Sequence, residues 1–158
     1  MSRYAVSLRI IGEDDLENMD EVTHVLGGTS CQFFKKGMRR RGGRIQPRNV
    51  VLLDLARWEE EVVYWEEDPG SSATTEQSWR QVLATLAPLA NKLRSLDRSL
   101  YHPALYISTI RDYYMGGFGL SSDVVAIAYE ANLPIDISIL VDIEDEASPE
   151  TEETESSE

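Results

Sequence analysis

The segment 135–143 restricts the possible folds of this chain more than any other, because an aliphatic residue stands at every second position. The aliphatic residues at this spacing are Ile135, Ile137, Ile139, Val141 and Ile143. Successive side chains of a β-strand point to opposite faces, so this spacing predicts a strand with one buried face. On this interpretation Ile137 and Ile139 lie in the core, on the face of a sheet that helices cover.

A strand with the same spacing is predicted near the start of the chain, where the residues sharing one face are Tyr4, Val6, Leu8 and Ile10. Between these two strands, apolar spacings of three and four predict three helices, and short runs of β-forming residues predict three more strands. The first helix follows Gly12, the second begins near Thr75 after a Thr74–Gln77 capping box, and the third begins at Ser121 or Ser122. The three further strands are Val50–Leu55, Val62–Trp65 and Ala104–Ile110. Pro88 lacks a backbone N–H and should kink the second helix or start a new one.

The predicted order of elements is therefore β-α-β-β-α-β-α-β. Strands with one apolar face are typical of a largely antiparallel sheet that packs that face against helices. We predict an α+β fold, a two-layer sandwich of a mainly antiparallel sheet with helices on one face, related to the ferredoxin-like architecture.

The acidic character of the chain is concentrated at its end. The formal net charge is -13, but residues 142–158 contain nine acids and no lysine or arginine. Removing those nine from the 28 acids leaves 19 against 15 bases in residues 1–141, a net charge of -4. The acidic end has no aromatic residue and little apolar surface to offset ordering entropy. We predict one domain over residues 1–145 and a disordered acidic tail over residues 146–158.

The residue types that carry most chemistry are few and far apart. Cys31 is the only cysteine, which excludes an intramolecular disulfide, and His24 and His102 are the only histidines. Neither a nucleophile motif nor the ligand spacing of a zinc or calcium site is present. The glycines at 116–119 lack the remainder of a phosphate-binding fingerprint. The sequence predicts no catalytic residue, cofactor or metal, and a cytoplasmic protein with no membrane-spanning segment.

A basic segment is the strongest local anomaly, because Lys35–Arg48 contains seven of the fifteen lysines and arginines. Its glycines predict a flexible loop, which could contact a partner or could pair with the acidic tail or with Glu59–Glu61. The negative net charge argues against general nucleic-acid binding. Tyr113 and Tyr114 are predicted near the tip of a hairpin or loop, where they could contact a partner or pack on the neighbouring strand.

An ordered series of segments resembles the bacterial family catalogued as domain of unknown function 4279, over about residues 4–143. The segments are Leu8–Gly12 with the helix start Glu13–Leu16, Lys35–Gly37, Val62–Trp65, the helix with Pro88 and Lys92–Leu96, Gly117–Ser121 and Leu133–Ile139. The stretch 44–61 is longer than the family pattern leads us to expect. The resemblance implies no enzymatic activity, and small stand-alone members look similar to immunity proteins that accompany bacterial toxins.

We therefore predict a non-enzymatic binding protein, an immunity-type or otherwise inhibitory partner of another protein, such as a toxin encoded nearby. The predicted contact residues are Lys35, Lys36, Arg39, Arg40, Arg41, Arg44, Tyr113 and Tyr114. The acidic net charge would steer a cationic partner. The alternatives are a ligand-binding regulatory domain that uses the exposed face of the sheet, and an enzyme whose site is assembled from scattered polar residues.

Overall fold

The helices of this protein pack against a mixed sheet of five strands. The structure is a computed structural model that describes residues 2–60, 72–111 and 119–142. The strands are β1 (Ser2–Gly12), β2 (Gln32–Phe34), β3 (Asn49–Glu60), β4 (Tyr101–Arg111) and β5 (Ile135–Val141). The helices are α1 (Asp20–Leu26), α2 (Ala73–Leu86), α3 (Ala90–Arg94) and α4 (Ser122–Glu130), and a 3₁₀ turn (Ala87–Leu89) joins α2 to α3. No described helix is long and apolar enough to cross a membrane.

The strands lie in the order β2-β3-β1-β4-β5, with β1 at the centre and antiparallel to both of its neighbours. β2 is antiparallel to β3, whereas β5 runs parallel to β4 and is connected to it through α4. The predicted α+β class and two-layer sandwich are confirmed. The exact predicted order is not confirmed, because β2 was not predicted as a strand and Val62–Trp65 lies outside the described residues. The described parallel strands are neighbours, unlike the split βαβ unit of ferredoxin-like folds.

The core lies between the sheet and the helices. Val6, Leu8 and Ile10 of the central strand are fully buried. The helical layer contributes further buried residues to the same core cluster, which include Val22, Leu26, Val82, Leu86, Val124 and Ala128. The alternation predicted for the first strand is thus confirmed, and burial of these aliphatic groups supplies the main favourable term for folding.

The helix ends follow from short polar side chains and from one proline. Ser72, not the predicted Thr74–Gln77 box, caps α2 by accepting a hydrogen bond from the Thr75 N–H at 3.1 Å. Ser121 caps α4, and it is one of the two serines predicted for this position. The helical segment breaks at the turn that contains Pro88, as predicted, because proline cannot donate to the preceding turn.

A β-bulge in β3 keeps its apolar residues facing the core. Val6 pairs with Ala56 but the next residue, Ser7, pairs with Asp54, so Leu55 is the extra residue. Both Leu55 and Ala56 are buried. The bulge also explains why Asp54 and Arg57 form an ion pair with Nη2 and Oδ2 3.2 Å apart, since residues three apart in a regular strand face opposite ways.

The prediction that Ile137 and Ile139 are core residues is wrong. Their exposed fractions are 47% and 57%, and Val141 is 42% exposed. β5 is an edge strand, and only Ile135 at its start packs against the core. Alternation shows that the two faces of a strand differ, but it does not show that the helical layer extends over an edge strand. The predicted end of the domain at residue 145 and the tail 146–158 lie outside the described residues.

Candidate functional site

The segment 35–48, which was predicted as a flexible loop and which we call the basic hairpin, contains two stretches joined by backbone hydrogen bonds. Gly37 donates its N–H to the carbonyl of Gln46 at 2.9 Å, and Gln46 donates to Met38 at 2.8 Å. Nearer the tip, Arg40 donates to the carbonyl of Arg44 at 2.7 Å. These bonds, with one isolated β-bridge between Arg39 and Ile45, hold the basic residues on two adjacent segments between β2 and β3.

Two glycines make the tip of the basic hairpin. Gly42 and Gly43 have φ angles of 90° and 81°, in the region that disfavours side chains with a Cβ. Gly43 closes the turn by donating its N–H to the carbonyl of Arg40 at 3.0 Å. The chain therefore reverses directly beside Arg41, which places its side chain at the tip.

Asn49 joins the basic hairpin to the rest of the domain. It is 1% exposed, and its amide donates to the carbonyls of Glu13 and Leu16 at 3.1 and 3.3 Å. Its Oδ1 accepts a hydrogen bond from the backbone N–H of Lys36 at 2.8 Å. The Lys36 ammonium in turn lies 3.2 Å from the carboxylate of Asp14. The base of the hairpin is thus tied to the loop that follows β1.

We expect Asn49→Ala to destabilise the protein by about 2 kcal/mol, because it leaves two backbone carbonyls and an N–H in partly buried surroundings without their partner. Urea unfolding measures the loss, and faster hydrogen exchange of the Lys36 amide would place it at the hairpin base. Asn91→Ala, at an exposed position on α3, is the matched control and should be close to neutral. Equal small effects of both substitutions would show that Asn49 does not anchor the hairpin.

The charges of the basic hairpin are largely unpaired within the described residues. Apart from Lys36, only Arg40 has a described partner, the ring of Phe34, with its guanidinium carbon 4.4 Å from the ring centre. The cations with neither an ion pair nor a ring partner in the described part of the chain are Lys35, Arg39, Arg41, Arg44 and Arg48. Met38 and Ile45 are also exposed, by 46% and 63%. Positive charge and apolar surface together suit docking on an acidic, partly apolar surface.

The geometry of β3 excludes one predicted partner of the basic residues. The hairpin joins β3 at Asn49, whereas Glu59 and Glu60 lie at its other end. Twelve residues of strand span about 35 Å at the usual rise per residue, far beyond the reach of two side chains. The predicted pairing with these two glutamates is therefore wrong, and Glu61 and the acidic tail lie outside the described residues.

The face of the sheet opposite the helices, here called the open face, is the second candidate surface. Its β1 residues are Arg3, Ala5, Ser7, Arg9 and Ile11, which alternate with the core residues. The Arg9 guanidinium lies 3.9 Å above the centre of the Tyr106 ring on β4. At one end, a shallow depression of about 440 Å³ is bordered by arginines and by small residues that include Ala5 and Ser108.

The histidines and the cysteine do not form a reactive group with one another in the described structure. His102 Nε2 lies 2.7 Å from Glu13 Oε1 at the end of the sheet, a contact between residues 89 apart in sequence. His24 is exposed on α1, and Cys31 is partly buried against the core. No cluster of three or more histidine, cysteine, aspartate or glutamate residues suited to a metal occurs among the described residues.

The other predicted contact residues, Tyr113 and Tyr114, lie outside the described residues, as do Gly116 and Gly117. Sequence reasoning missed the Asn49 anchor and the His102–Glu13 pair, both of which depend on contacts distant in sequence. The Gly42–Gly43 pair between Met38 and Ile45 is a sequence signal for the hairpin turn.

Comparison with known proteins identifies a family but no characterised relative. Residues 2–142 match the family model described as "Domain of unknown function (DUF4279)". This match spans all of the described residues and agrees with the resemblance found in the sequence. Neither the comparison with curated proteins nor that with solved structures found a match.

Proposed function

We propose that this chain, which belongs to the family described as domain of unknown function 4279, is a non-enzymatic protein that binds another protein as an immunity-type or otherwise inhibitory partner. The basic hairpin is the observation that carries the proposal. It presents six cations that make no ion pair with the described residues, together with exposed Met38 and Ile45. An inhibitor that acts by occlusion needs a docking surface of this kind and no catalytic group.

The paired backbone of the hairpin supports binding in a second way. Ordering a flexible loop on association costs conformational entropy, whereas a hairpin already paired in the free protein loses less. The Asn49 bonds at its base limit its movement relative to the sheet. Because the hairpin is basic and exposes Met38 and Ile45, the surface that it fits is acidic and includes an apolar site for one of these two side chains.

The test is complex formation with the product of the adjacent gene. We expect Arg39→Ala/Arg44→Ala to weaken the complex at least about tenfold and to reduce the salt dependence of its affinity. Arg80→Ala/Lys92→Ala removes the same number of charges from exposed positions on α2 and α3 and should leave affinity unchanged. The control separates a local contact from a change in net charge.

Equal weakening by the two pairs would contradict a contact through the hairpin. Tyr113→Ala/Tyr114→Ala tests the other predicted contact segment in the same assay. Turnover of a small molecule by the purified protein, with no partner bound, would contradict the non-enzymatic function itself.

A ligand-binding regulatory domain is the second candidate, and the depression on the open face favours it. Its volume of about 440 Å³ falls in the range of small-molecule sites. Arg3, Arg57 and Glu59 border it, and the two arginines could hold an anionic group. We expect such a ligand to raise the melting temperature of the wild type but not of Arg3→Ala. The absence of any stabilisation by a panel of small anions would count against this function.

A further inference from the structure

The outer edge of β5 is unpaired in the part of the chain that the structure describes. Toward β4, the carbonyl of Pro134 accepts from Leu105 at 2.9 Å and the N–H of Asp142 donates to Arg111 at 2.7 Å. Backbone groups of a strand alternate in direction, so even-numbered residues of β5 bond to β4. The N–H and C=O groups of the odd-numbered residues therefore point away from the sheet. These residues are Ile135, Ile137, Ile139 and Val141.

The same edge is apolar to an unusual degree. Of the nine exposed large hydrophobic residues in the described ranges, four belong to β5, namely Ile137, Ile139, Leu140 and Val141. Exposed edge strands usually carry lysine, proline or a bulge that prevents another strand from pairing. Within β5 the polar residues are Asp136 and Ser138 alone, and its pairing with β4 is regular. The strand thus has the properties of a template for a further strand.

The charge beside this strand indicates what kind of segment would pair with it. Asp136 lies within β5, and residues 142–158 bring nine acids and no base directly after it. A second copy of the chain would bring the same negative charge to the edge. A segment with lysine or arginine next to its β-forming residues is attracted instead.

We propose that the outer edge of β5 binds an extended segment of a partner protein, with alternating aliphatic residues flanked by lysine or arginine, which adds to the sheet beside β5. Main-chain hydrogen bonds to the odd-numbered residues supply affinity, and the exposed isoleucines select aliphatic side chains. The edge lies on the opposite side of the sheet from β2, β3 and the basic hairpin. This docking site is therefore independent of the hairpin and goes beyond the function proposed for it.

The test uses two synthetic peptides of about nine alternating valines and threonines, a length that spans β5. One peptide carries three additional lysines at its N-terminal end, and the other carries them at its C-terminal end. We expect one of these peptides to bind and to slow hydrogen exchange of the Ile137 and Ile139 amides at least about tenfold. The amides of Asp136, Ser138 and Leu140 already bond to β4 and should change little. The preferred lysine position shows the direction of the added strand.

Ile139→Pro removes one outward N–H and leaves the bonds to β4, so the variant should fold and bind at least about tenfold more weakly. Ile137→Lys/Ile139→Lys, which places charge on the edge without changing the backbone, should weaken binding to the same extent. Val125→Lys/Tyr129→Lys alters two exposed apolar residues of α4 and should have no effect.

Binding that leaves the Ile137 and Ile139 amides unprotected would overturn the proposal, as would failure of both lysine peptides to bind. Equal binding of peptides with glutamates in place of the lysines would overturn the predicted charge of the partner. The protein could instead dimerise with rising concentration, protect the same amides without peptide, and lose this dimerisation in Ile139→Pro. That result would assign the edge to a second copy of the chain and would also overturn the proposal.

Discussion

Replacing Trp58 with alanine is expected to reduce the free energy of unfolding by about 3–5 kcal/mol, the usual loss for a buried aromatic side chain. Trp58 lies on the core face of β3 and is 8% exposed. Its ring stacks on Tyr4 of β1 with centres 5.2 Å apart, and it packs in a T-shaped arrangement with Trp79 of α2, with ring centres 5.4 Å apart. One side chain therefore joins two strands to the longest helix, and its removal leaves a cavity between the two layers.

The loss is measured by urea denaturation followed by far-ultraviolet circular dichroism, because the substitution itself alters tryptophan fluorescence. Thr75→Val removes only the hydrogen bond that the Trp58 Nε1–H donates to Thr75 Oγ1 at 3.1 Å, and should cost about 1 kcal/mol. A loss below about 1 kcal/mol for Trp58→Ala would show that the aromatic cluster is not an important part of the core.

Arg98→Met should be the second most damaging substitution, with a loss of about 3 kcal/mol. The Arg98 guanidinium donates to the carbonyls of Leu93, Ala131 and Asn132 at 2.8, 2.9 and 2.9 Å. These carbonyls lie at the C-terminal ends of α3 and α4, where the helix dipoles place partial negative charge. Methionine keeps the aliphatic length of arginine but cannot donate, so the carbonyls lose their partners.

Arg94→Met is the matched control, because Arg94 is exposed and makes one such bond, to the carbonyl of Glu130 at 3.0 Å. Its loss should be about 0.5 kcal/mol. Burial lowers the pKa of Arg98 from its usual value, yet an arginine stays charged at neutral pH, so the difference between the two variants should not change with pH there. Equal losses in the two variants would contradict a bridging role for Arg98.

Local sequence signals predicted the elements whose causes are local. Pro88 breaks the long helix, Ser121 caps α4 and the alternation of β1 places Val6 in the core, as expected from propensity and spacing alone. Features that depend on distant contacts were not predicted. The bulge at Leu55 is defined only by the pairing of β3 with β1, and the exposure of Ile139 follows from the position of β5 at the sheet edge.

The same distinction applies to the candidate site. The identity of the cations between residues 35 and 48 is evident from composition, whereas the pairing of their backbone and the role of Asn49 require the positions of Glu13 and Leu16. Arg98 gave no signal in the sequence, because its three acceptors become neighbours only after two helices have packed.

The central position of β1 also has a consequence during synthesis. Its antiparallel neighbours, Asn49–Glu60 and Tyr101–Arg111, are translated about 50 and 100 residues later. At roughly 5–20 residues per second, the nascent chain would wait about 5–20 seconds before the second neighbour is made. During that interval Val6, Leu8 and Ile10 have neither complete pairing nor the full helical layer above them. Ribosome-bound chains that end before Tyr101 should therefore recruit chaperones more strongly than chains in which β4 has emerged.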